Sequence, residues 1–280
     1  RFQRGRPRKI LGYRVISDEL SGPSRGIWVN SQNAFTSIFS GYSDGLQELT
    51  IDNNGIGAGV GDFALSNFTA SPLNLWQFDG FYDVAGTGLQ SIVAHPGQNL
   101  SSIDNSTNTP VLIGDITGLN MSQVGVLTDS VTTTALSNTV TLAAANPLIG
   151  AGQTITGTGI PANTTVVSVV TTTVTISNNA TASGTVTATF NNNVSVSGGL
   201  VSLHPYLFVY GNNGLIKNCS AGNAQDWVSA DANETNVATG KIVQGLPVRG
   251  GSNAPSGLFW SLDSVIRVSF IGGTGTPPQY

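Results

Sequence analysis

Apolar and polar positions alternate with a period of two along much of the chain. Short runs such as "RGIWVN", "AFTSIFSG", "LQELTID", "NLWQFDGFYDV", "LQSIVAHPG" and "PVLIGD" are separated by Gly, Asn or Asp turns. No long stretch carries apolar residues at helical spacing. The pattern predicts an all-β chain of stacked antiparallel sheets. The segment "GKIVQGLPVRGGSNAPSGLFWSLDSVIRVSFIGG", residues 240–273, reads as strands around the turn "GGSNAPSG". Its alternation predicts Leu258, Trp260, Val265, Val268 and Phe270 facing a core.

The pattern changes in the middle of the chain. Thr and Val alternate through "VTTTALSNTVTLAAANPLIGAGQTITGTGIPANTTVVSVVTTTVTISNNATASGTVTATF", as in half-buried strands. In "GTGIPANT", Gly157 and Gly159 permit unusual backbone angles and Pro161 restricts the next one. Aromatic-rich strands divided by polar turns resume at "SLHPYLFVY". With the middle removed, units of about 40 to 45 residues remain, the spacing of propeller blades. The expected organisation is a propeller-like part over residues 1–121 and 193–280, interrupted by a small inserted β-sandwich-like module over 122–192.

Composition supports strands and limits the functions. Only 9% of the 280 residues are charged, against roughly a quarter in ordinary domains. Arg1, Arg4, Arg6, Arg8, Lys9, Arg14 and Arg25 crowd the start, and residues 26–216 contain no Lys or Arg. That span holds acidic residues only (Asp44, Glu48, Asp52, Asp62, Asp79, Asp83, Asp104, Asp115 and Asp129), so it cannot grip a phosphate backbone. A wall that repels DNA is compatible with it. Cys219 is the one cysteine, expected to be buried, and no intrachain disulfide is possible. There is no run of 18 apolar residues of the kind that spans a membrane as a helix. With Met121 the only methionine and no signal peptide in view, Arg1 is expected to follow processing or truncation.

Two resemblances add to this. The order "LFVYGNNGLIKNCSAGNAQDWVSADANETNVATGKIVQGLPVRGG", followed by "GLFWSLDSVIRVSFIGG", resembles the β-propeller proteins of bacteriophage tails. The opening "FQRGRPRKILGYRVISDELSGPSRGIWVN" is similar to that family's basic start. The middle region resembles a small β module of phage structural proteins through Gly157, Gly159, Ile160, Pro161, Thr164, Val166, Val169, Val174, Ile176 and Ser177. The resemblance implies a virion tail component of a short-tailed phage, the nozzle or tail hub. It would form a homo-oligomeric ring below the portal and adaptor, touching tail fibre or spike proteins and letting DNA pass during ejection. The alternative is a virion-surface adhesin that binds a host glycan.

Candidate chemistry is sparse. His95 and His204 each precede a proline and have no ligand-like spacing to Cys, Asp or Glu, so they read as turn or strand-edge residues. Asp79 with Asp83, and Asp44 with Glu48, are carboxylate pairs in sequence, but hydrolysis of a glycoside needs a defined separation across a cleft. They read as solvated residues. "GIGAGVGD", residues 55–62, reads as a flexible loop, with no helix to aim its amides at a phosphate. Trp28, Trp76, Trp227 and Trp260 read as packing between blades rather than a carbohydrate platform. No nucleophile elbow, zinc motif or P-loop occurs. The expectation is therefore no enzyme, no cofactor and no metal. Arg4, Arg6, Arg8 and Lys9 are expected to dock on an acidic surface of a neighbouring copy or tail protein.

Overall fold

The computed structural model describes residues 2–3, 6–7, 19–32, 35–43, 45–51, 57–64, 75–83, 88–94, 101–103, 121–192, 194, 196–248 and 256–269. Strands β1 (Phe2–Gln3) and β2 (Arg6–Pro7) form a minimal hairpin. Strands β3 (Gly26–Gln32), β4 (Phe35–Gly41), β5 (Gly45–Ile51) and β6 (Gly57–Ala64) form a four-stranded meander. A second meander joins β7 (Gln77–Asp83), β8 (Gly88–Ala94), β9 (Ser101–Ile103) and β10 (Met121–Gln123). The next six strands are β11 (Val126–Thr133), β12 (Thr139–Leu142), β13 (Thr154–Gly157), β14 (Thr164–Val170), β15 (Thr173–Ile176) and β16 (Gly184–Asn191). A third four-stranded meander follows as β17 (Gly199–Leu203), β18 (Tyr206–Tyr210), β19 (Leu215–Asn218) and β20 (Glu234–Asn236). The last sheet has three strands, β21 (Ile242–Val248), β22 (Ser256–Ser261) and β23 (Val265–Ser269).

The protein is all-β, as the alternation predicts: its described segments build blade-like antiparallel meanders, and one 3₁₀ turn at Asn212–Gly214 is the only helical element among them. By contacts the chain forms two compact units: Arg1–Leu73 with Thr109–Leu119, and Asn74–Asn108 with Asn120–Tyr280. The first contains the β3–β6 sheet, with Phe39 and Leu46 buried in it. The second holds three clusters of buried apolar side chains.

Strands β11 to β16 close into a barrel in the order β11-β12-β15-β14-β13-β16. The two layers of a sandwich-like module are here joined at both edges, which leaves no open strand edge. Period-two alternation turns Val131, Val140, Ile155, Val166, Val174, Ile176 and Phe190 inward. Each such burial stabilises by roughly 1.5–3 kcal/mol relative to exposure. Inward threonines keep their hydroxyls bonded: Thr133 Oγ1 donates to Ala182 O at 2.8 Å, and Thr164 Oγ1 to Pro161 O at 2.6 Å. Gly159 adopts φ 77°, and a Cβ there would sit 3.1 Å from Ala182 Cβ. The incoming and outgoing strands lie side by side, paired from Val126↔Asn191 to Thr133↔Gly184.

Two sequence expectations are corrected. Residues 57–64 are not a loop but strand β6, paired to β5 from Gly45↔Ala64 to Ile51↔Gly57 with one bulge. Ladder pairing uses backbone groups, so a glycine-rich segment can satisfy it when a partner edge is offered. In the last sheet the expected faces are largely reversed. Phe259 is fully buried, and Ile266 and Val268 pack on the same core, whereas Val265 is 59% exposed. The registers Gln244↔Trp260↔Val265 and Leu246↔Leu258↔Arg267 put those side chains together on the opposite, outward face. A one-residue difference in reading a strand exchanges its two faces. Phe270 lies outside the described residues.

Candidate functional site

In the second unit, β17 lies against both β7 and β21, the first strands of the neighbouring sheets. β17 is an edge strand, so its outer backbone groups need partners other than a ladder. Side chains of β7 supply them. Gln77 Nε2 donates to Gly198 O at 2.7 Å, and its Oε1 accepts from Leu200 N at 3.3 Å. Two residues on, and therefore on the same face of the strand, Asp79 Oδ2 accepts from Ser202 N at 2.7 Å. Asp79 Oδ1 accepts from its neighbour Gly80 N at 2.8 Å. Burial pushes the Asp79 carboxyl above its ordinary value of 3.8, while the two backbone N–H bonds pull it down. Tyr210 closes this seam from β18: burial raises its pKa, the bond with the Gly245 backbone lowers it and the charge of Asp79 raises it. Its ring meets Phe259 edge-on at 5.5 Å.

The seam fixes an exposed pair of rings at its end. Alternation along β7 buries Phe81 and turns the next residue, Tyr82, outward with 53% of its surface exposed. The β17–β18 turn presents His204, also exposed. Tyr82 and His204 meet edge to face, with ring centroids 6.3 Å apart and planes at 70°.

The segment 219–233 borders the same turn, since Gly222 N donates to Pro205 O at 2.7 Å. It is held by its own acidic residues. Asp231 Oδ2 accepts from Ala221 N at 2.9 Å, and Asn218 Nδ2 donates to Asp231 O at 2.9 Å. Asp226 Oδ1 accepts from Val228 N and Ser229 N, each at 3.0 Å, and Oδ2 from the Ser229 hydroxyl. Beneath it Trp227 Nε1 donates to Ala224 O at 2.7 Å, and buried Cys219 accepts from Leu207 N at 3.2 Å. Burial, then the charges of Asp231 and Cys219, push the Tyr206 phenol up to about 12. The outcome is a rigid polar rim beside two exposed rings. Such rings can cover the apolar face of a sugar while neighbouring oxygens and ring nitrogens bond its hydroxyls.

The residues singled out from the sequence fare unequally. His204 sits in a turn, as expected, but its contact with Tyr82 has no signature in the sequence. Tyr82 carries no local signal beyond alternation. Asp79 is engaged in the sheet seam rather than solvated, and Glu48 is buried in the β3–β6 sheet. Trp76 and Trp227 are buried core residues. His95, Asp44, Arg4, Arg8 and Lys9 lie outside the described residues, as do the side chains of Arg6 and Asp83. Among the described residues no group of three or more His, Cys, Asp and Glu side chains could hold a metal.

No family model matches the chain, and no curated protein matches it. Among solved structures it is similar to the phage phi92 endosialidase, at 13% identity and a TM-score of 0.27, over 90% of this chain and 48% of that one. The chain thus spans about half the length of that protein. The name of that neighbour corrects the expectation of no enzyme, which rested on missing motifs. In general, the paired carboxylates of glycoside hydrolysis can come from separate strands, where a motif search does not see them. At this TM-score the likeness assigns no activity to the present chain.

Proposed function

We propose that the chain is a tail-associated structural protein of a phage virion that recognises a glycan on the host surface. The phage setting rests on the sequence resemblances. The recognition role rests on one observation: Tyr82 and His204 form an exposed edge-to-face pair on a framework locked by Gln77 and Asp79. Rings that serve only packing are buried, as Phe81 and Phe259 are. A rigid pair lowers the ordering cost of binding. The full chain should bind at least one polysaccharide in a glycan array, and Tyr82→Ala should abolish binding while leaving the circular dichroism unchanged. Release of reducing ends is read in the same samples, which reports any hydrolysis. Binding that is indifferent to Tyr82→Ala and His204→Ala would remove the role assigned to the pair.

A second reading is the ring subunit of a tail nozzle. It is favoured by the outward face of the last sheet, where Leu246 is 48% and Val265 59% exposed beside Leu258 and Trp260. A second copy of the chain would cover that face, and cyclic head-to-tail contacts build rings. In that setting Arg4, Arg6, Arg8 and Lys9 dock on a neighbour's acidic surface. Light scattering of the full chain tests it: a ring mass that Trp260→Asp reduces to the monomer supports it, and a parent that is monomeric within purified virions rejects it.

A further inference from the structure

Resting on the glycan reading, we infer that the Tyr82–His204 site takes an uncharged, hydroxyl-rich glycan and rejects acidic ones. Sugars that carry carboxylates, such as sialic or uronic acids, are held by cations or by convergent backbone N–H groups. Among the described residues, the elements around the pair offer no such cation. β7, the β17–β18 turn and the segment 219–233 contain no Lys or Arg. The neighbouring cation on β19, Lys217, is engaged by Glu234 at 3.1 Å.

Six backbone donors on these elements are already bonded. Ser202 N and Gly80 N go to Asp79, Gly222 N to Pro205 O, Ala221 N to Asp231, and Val228 N with Ser229 N to Asp226. The acidic side chains described on these elements are Asp79, Asp226 and Asp231. An acidic sugar would therefore meet like charge with no Lys or Arg on these elements to offset it. Neutral hydroxyls suit the same rim, because a carboxylate oxygen accepts their hydrogens and the imidazole can donate or accept. Stacking on Tyr82 supplies the apolar half of the recognition.

The test titrates the full chain with dextran, galactan and chitohexaose as neutral probes, and with polysialic acid and alginate as acidic ones, at low and physiological salt. The expected result is binding within the neutral set that changes little with salt, since no charge pair contributes. Tyr82→Ala should weaken it about tenfold or more and Tyr82→Phe should retain it. Tyr82 is exposed, so neither variant threatens the fold, and circular dichroism verifies this. Preference for the acidic probes, or affinity that falls steeply with salt, overturns the ligand class while leaving glycan recognition standing. No binding to either set rejects the glycan reading, and this inference with it.

Discussion

Asp79 on β7 accepts a hydrogen bond at 2.7 Å from the backbone N–H of Ser202 on β17, a residue 123 positions away. One carboxylate oxygen thus does for a sheet edge what a further strand would do. Together with Gln77 it joins two blade-like sheets and sets the position of the exposed ring pair.

Removing that carboxylate should loosen the seam. Asp79→Ala leaves Ser202 N–H without its acceptor and should cost about 1–3 kcal/mol, read as a lower denaturant midpoint. The pH dependence has a definite sign. Burial holds the folded pKa above 3.8, so the folded state binds the proton more tightly than the unfolded chain. The stabilisation is fully present below the unfolded pKa and is lost as pH rises through the folded value. Parent stability should therefore fall, relative to Asp79→Asn, as pH rises above about 3.8. A constant difference between the two across the acid range would reject the assignment.

Tyr206 makes a similar statement at alkaline pH. Its phenol is raised from 10.0 to about 12, so its contribution to stability is intact below 10.0 and disappears as pH climbs toward 12. Ultraviolet titration should show a tyrosine ionising late, near pH 12, and Tyr206→Phe should delete that late step.

The faces of the last sheet predict opposite consequences for adjacent residues. Phe259→Ala empties a fully buried site and should cost about 3–5 kcal/mol, whereas Trp260→Ser, on the outward face, should cost about 1 kcal/mol. Thermal unfolding of both variants measures the contrast. Equal losses would mean that the register of β22 is different.

The barrel should be removable. Asn192 N donates to Gly125 O at 3.0 Å, so the chain ends left by excising residues 126–191 are already adjacent, and the barrel has its own buried cluster. We expect the shortened protein to keep the near-ultraviolet dichroism of Trp76 and Trp227. Loss of all tertiary signal on excision would show a shared core and would count against a module inserted over residues 122–192.

The sequence by itself determined the class of the fold, because period-two alternation and scarce charge leave strands as the means of burying this much apolar surface. It also marked residues 122–192 as a unit of different composition; within that span the strands from Val126 to Asn191 close as the barrel. Tertiary structure alone decided which face of each strand is core. Alternation offers two equivalent faces, and for Leu258, Phe259 and Trp260 the choice fell to Phe259, whose ring fits against Tyr210 and Phe208. It also decided that the glycines of β6 form a strand, since backbone pairing depends on a partner edge and not on local side chains. The candidate site was hidden for the same reason. Tyr82 and His204 belong to different sheets, and their rings are brought together by the bonds of Gln77 and Asp79 to the β17 backbone and by the burial of Phe81 in one cluster with Leu200, Leu207 and Val209.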